Sequence, residues 1–91
     1  MSAKGVINVN EQQRTITEHL ITKVCGSDSV LAEPDLDLLE AGLLDSLALV
    51  ELLVGLDEEF ALEISPTEVE REEVASVNKI LIFVEASLGR A

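Results

Sequence analysis

Ser46 lies in the run Ala41-Gly42-Leu43-Leu44-Asp45-Ser46-Leu47-Ala48-Leu49-Val50-Glu51-Leu52, where a tight turn feeds a long apolar helix. A hydroxyl in that position can attack a substrate or receive a group. Attack needs a base: a histidine held by an acid, or an equivalent lysine or amino terminus. The sole histidine, His19, is distant in sequence, and no Gly-x-Ser-x-Gly elbow surrounds the serine. Metal chemistry has no better start. Asp57-Glu58-Glu59 is a contiguous run without the spaced ligands and inner glycine of a calcium loop, and Cys25 with His19 makes no zinc set. Ser46 is therefore better placed to receive a group than to attack one. A negatively charged group there would meet the unpaired N–H groups and dipole of a helix start, which favour anions by about 0.3–1 kcal/mol when exposed.

The elements that must position this serine follow from apolar spacing. Ile16, Leu20, Ile21 and Val24 form the stripe of an amphipathic helix from about Glu11 to Cys25, which Gly26 can end in a left-handed conformation. Residues 1–10 read as a loosely held end, and 11–91 as a single small domain. The connection from Ser27 to Asp45 is long for a compact domain. Leu31, Leu36, Leu38 and Leu39 can peg it to the core, with a short turn around Asp35 to Leu39, and Gly42 permits a sharp bend before Ser46.

The next helix is expected from Ser46 to Phe60, with Asp45 as its N-cap. Two stripes run along it. Leu49, Leu52, Leu53, Leu56 and Phe60 make a core face. Leu47, Val50, Glu51, Val54 and Glu58 repeat the spacing two residues out of phase, about 200 degrees around the cylinder, and so look outward. An outward apolar face in so short a chain suggests a partner surface; the plainer reading packs Val50 and Val54 under the long loop. Beyond Phe60 a loop through Pro66 leads to one short helix, about Glu68 to Glu72, carrying Val69 inward. Ser76 starts a last helix whose stripe is Val77, Ile80, Leu81, Val84 and Leu88, with Gly89 ending it. The expected architecture is all-α, a small bundle of three longer helices and one short one.

Composition excludes several classes of function. The 91 residues carry 18 acidic and 6 basic side chains, a net charge of −12 that repels phosphate backbones and anionic lipid heads. Nucleic acid is an unsuitable partner, and with only Phe60 and Phe83 there is no aromatic platform for bases. The same charge suits basic partner enzymes. The single cysteine forms no internal disulfide, which fits a reducing cytoplasm, and the apolar runs are too short to cross a bilayer. His19 and Cys25 read as structural.

The run Gly42-Leu43-Leu44-Asp45-Ser46-Leu47, followed by Val50-Glu51-Leu52-Leu53 and Asp57-Glu58-Glu59-Phe60, resembles the attachment signature of the acyl and peptidyl carrier proteins. Leu38-Leu39-Glu40-Ala41-Gly42, Arg71-Glu72-Glu73 and Asn78-Lys79-Ile80 make it similar to the discrete D-alanyl carriers within that family. The resemblance covers about Leu36 to Leu88. It implies a four-helix bundle that is not an enzyme. A phosphopantetheinyl transferase would place 4'-phosphopantetheine, taken from coenzyme A, on Ser46, with Asp45 in the recognition motif. The arm's thiol would hold an acyl or aminoacyl group, loaded by an adenylate-forming ligase and passed to an acyltransferase or other accepting enzyme. Leu47, Val50, Glu51, Val54 and Glu58 would fall on the helix that partners read, and the carrier would act as a monomer.

Two positions depart from the family pattern. Ala48 stands where fatty-acid carriers commonly have an acid, and Val77 where D-alanyl carriers tend to have proline. The expectation is accordingly a discrete carrier in polyketide or nonribosomal-peptide type antibiotic biosynthesis. The alternatives are a D-alanyl carrier for teichoic acid modification of the cell wall, or an unmodified helical adaptor in which Ser46 merely caps.

Overall fold

Asn10 begins the first helix of the computed structural model, which describes residues 10–90. Its Oδ1 accepts the N–H of Gln13 at 2.7 Å while Gln13 Oε1 accepts the N–H of Asn10 at 3.0 Å, satisfying two helix-start donors reciprocally. Helix α1 then spans Glu11–Cys25, and Gly26 closes it with φ 78° and an N–H donated to the Thr22 carbonyl. The expected loose end thus loses Asn10 to the helix, and residues 1–9 lie outside the described ones.

Helix α2, Ser46–Phe60, and helix α3, Val77–Arg90, are the other two α-helices among the described residues. Ser76 Oγ accepts the Lys79 N–H at 3.2 Å, so the expected serine start of α3 holds, but the helix continues through Gly89 to Arg90. Helix α1 packs against both α2 and α3. At one point the approach of α1 to α2 is close enough to explain a glycine inside α2: a Cβ built on Gly55 would lie 3.1 Å from Leu20 Cδ2.

The expected fourth helix over Glu68–Glu72 does not form. Two 3-10 turns, Pro66–Glu68 and Arg71–Val74, stand in its place, with a bend between them at Val69. The reason is electrostatic and cooperative. Glu68, Glu70, Glu72 and Glu73 crowd like charges into six positions, and so few residues cannot offset the cost of helix nucleation. Fully buried Val74 fastens the segment instead. A third 3-10 turn, Asp28–Ala32, follows α1 and carries Val30 into the core. The core itself gathers Ile21, Val30, Leu38, Leu44, Leu52, Leu56, Val74, Ile80, Leu81 and Val84 from every segment, including the long connection.

Candidate functional site

The chain before Ser46 is built around Leu38. Asp37 Oδ1 accepts the N–H groups of Leu39 and Glu40 at 3.0 and 2.9 Å, which starts a single helical turn closed by the Ala41 N–H on the Asp37 carbonyl. Gly42 ends that turn with φ 76°, a conformation that places an L side chain under strain and leaves glycine free of it. The Leu38 carbonyl then receives the N–H groups of both Leu43 and Leu44, at 2.9 and 3.1 Å, and the Leu38 N–H reaches across to the Ala75 carbonyl at 2.7 Å. Leu38 and Leu44 are both buried, so each end of the turn is pegged into the core and Asp45 is delivered to a fixed place.

Asp45 is the N-cap of α2. Its backbone is extended, its Oδ1 accepts the Ala48 N–H at 2.8 Å, and its carbonyl accepts the Leu49 N–H at 2.8 Å. Ser46 is consequently the first residue of the helix, and it is exposed. A group added to its hydroxyl requires no unpacking of the core.

The two stripes of α2 separate as their spacing requires. Leu49, Leu52, Leu53 and Leu56 are buried, with Phe60 half-buried. On the other side Leu47 is 70%, Val50 43% and Val54 44% exposed, and Glu51 and Glu58 are exposed with them. Val50 and Val54 are therefore not packed under the long loop. They form one wall of a surface groove of about 550 Å³ whose other wall is Leu20 and Val24 of α1, with Lys23, Glu51, Glu58 and Glu59 at its edges. The contribution of α1 is not visible in the stripe pattern, since Leu20 and Val24 share the period of its core face. Ala48 does not belong to the outward face either: it is half-buried and packs against the core.

Electrostatically the site is bare. Arg14 and Glu18 make the one ion pair among the described residues, 3.0 Å apart on α1. No group of three or more potential metal ligands converges among the described residues. His19 is exposed on α1, and burial pushes the half-buried Cys25 thiol above the usual cysteine range. No helix among the described residues is long and apolar enough to cross a membrane.

The described residues thus form an all-helical, acidic scaffold with an exposed serine at the mouth of a capped helix. Residues 16–84 match the family described as phosphopantetheine attachment site, and the chain belongs to that family. It is a carrier protein of the kind that bears a 4'-phosphopantetheine prosthetic group. Relatives that it matches include D-alanyl carrier proteins. That of Bacillus velezensis is 39% identical over 62 residues, covering 68% of this chain and 80% of the relative. Those of Abiotrophia defectiva and Lacticaseibacillus casei are 37% and 39% identical, covering 71% and 72% of this chain and 82% of each relative. No solved structure matches the chain significantly.

Proposed function

We propose that Ser46 bears the phosphopantetheine arm and that the cargo is D-alanine, held as a thioester and handed between enzymes. The observation that carries the site is the exposure of Ser46 directly after the Asp45 cap, at the start of an α-helix with a partly apolar outward face, whereas Ser76 at the start of α3 is buried. In the attachment step the Ser46 oxygen forms a bond to the phosphorus that bears the pantetheine of coenzyme A. The P–O bond to the adenosine 3',5'-bisphosphate half breaks, and the serine proton leaves. Bound there, the group would supply a thiol able to hold an acyl or aminoacyl cargo. The chain's own work is to hold and present. Asp45 fixes the helix start, while Leu47, Val50, Glu51, Val54 and Glu58 offer an apolar strip with acidic edges to the transferase, the ligase and the accepting enzyme.

The cargo reading rests on the relatives, which favour D-alanine over the natural-product pathway expected from the sequence. Val77 is no obstacle to it. It is the first residue of α3 and nearly fully buried, and the first helical position accepts proline because its N–H has no partner within the helix. Valine there serves the same backbone. The test is to load the phosphopantetheinylated protein with a D-alanine-activating ligase and ATP and to weigh the product. Preferred addition of D-alanine over L-alanine and over short fatty acids supports the reading, and indifference to D-alanine overturns it.

A further inference from the structure

Three hydrogen bonds join the loop that leads to Ser46 to the first turn of α3 and to Ala75 just before it. The Asn78 Nδ2 donates to Asp35 Oδ1 at 2.8 Å, across 43 positions of sequence. The Asn78 N–H donates to the Pro34 carbonyl at 3.0 Å, and the Leu38 N–H to the Ala75 carbonyl at 2.7 Å. The first turn of a helix has N–H donors with no intrahelical partner, and here the loop supplies an acceptor for one of them while Ser76 supplies another. Cap and loop thus hold each other. From Leu38 the connection runs on through its carbonyl to Leu43 and Leu44 and so to Asp45.

We infer that Asn78 is a positioning residue for the modification of Ser46. It touches no reacting atom. Its amide clamps Asp35 and so keeps the turn at residues 37–44, and with it the Asp45–Ser46 helix start, in the orientation that a transferase must bind. The Asp35–Asn78 pair is exposed, so its loss leaves the buried pegs Leu38 and Leu44 in place and the protein folded. What changes is how tightly the loop is held. The inference rests on Ser46 being the attachment point.

The test uses the full chain, coenzyme A and a broad-specificity phosphopantetheinyl transferase, with steady-state rates for wild type, Asn78→Ala, Asp35→Ala and Asp35→Asn. Either alanine variant is expected to lower kcat/KM about three- to tenfold, the factor that one exposed hydrogen bond can supply. Asp35→Asn, whose amide oxygen still accepts from Asn78, should stay within about twofold of wild type, because the charge is not what matters. Hydrogen exchange separates positioning from plain destabilisation: the amides of Ala41 to Leu44 should exchange faster in Asn78→Ala while those of α1 keep their wild-type rates. Wild-type kinetics in both alanine variants, or exchange accelerated equally in α1, would overturn the inference and leave the attachment reading standing. A wild-type protein that takes no phosphopantetheine would overturn both.

Discussion

Asp45 and Gly42 do the local work of presenting Ser46, by different means. Asp45→Ala removes a side-chain acceptor from the start of α2 and should cost about 0.5–2 kcal/mol of stability, whereas Asp45→Asn keeps an acceptor for the Ala48 N–H and most of that stability. Thermal melts of the two variants check this. At Gly42 a Cβ would meet no heavy atom within 4 Å, so Gly42→Ala loses only through its left-handed backbone, about 1–2 kcal/mol. Cys25 provides a pH dependence with a definite sign. Its thiol is raised by burial, so the folded state favours the neutral form. Stability is fully present below the ordinary cysteine pKa and declines as pH rises from there through the elevated folded value. Cys25→Ser should flatten that decline in denaturant titrations between mildly and strongly alkaline pH. At this scale the sequence is legible where one residue acts on near neighbours: Gly26 and Asp45 are readable as caps. The Asn10–Gln13 pair was equally local, an Asn-x-x-Gln capping signal obscured by the unpatterned residues before it. Asn78 offered no such signal, because its partner Asp35 is brought close only by the fold.

Helix α2 holds the core with one face, and under the proposed function its opposite face meets the partners. Leu52→Ala should cost about 2–5 kcal/mol, the usual range for a fully buried leucine, and appear as a large fall in the denaturation midpoint. Val54→Asp, on the opposite face, should leave the helical circular dichroism and melting temperature nearly unchanged while loading by the cognate ligase falls. Unfolding in that variant would assign Val54 to the core. The bounds of α1 and α2 follow from apolar period and caps because those helices are long enough for the pattern to repeat three or four times. The Glu68–Glu72 segment is too short for that. Whether five residues form an α-turn or two 3-10 turns is decided by where Val69 and Val74 find packing, which is a tertiary matter. Val30 was missed for the same reason: within Val30-Leu31 a loop has no period to show which residue points inward, and the structure buries Val30 while Leu31 is half-buried.

Over the whole molecule, 18 acidic side chains surround a core with one ion pair among the described residues, so self-repulsion has little to offset it. Raising sodium chloride from about 20 to 300 mM, across which the screening length falls severalfold, should raise the melting temperature. The same change should slow association with basic partner enzymes, which stopped-flow mixing with the ligase can follow. Composition gave a small acidic domain unsuited to nucleic acid, but the groove between α1 and α2 was not legible in it, because that groove exists only when Leu20 and Val24 meet Val50 and Val54. The proposed cargo rests on the names of the relatives, not on any residue of this chain. The attachment point is a property of this chain, and one measurement addresses it directly: peptide mass spectrometry of wild type and Ser46→Ala after incubation with coenzyme A and a broad-specificity transferase. A single phosphopantetheine confined to the peptide containing Ser46, and none on Ser46→Ala, is the expected result. No addition to the wild type, or undiminished addition to Ser46→Ala, would contradict it.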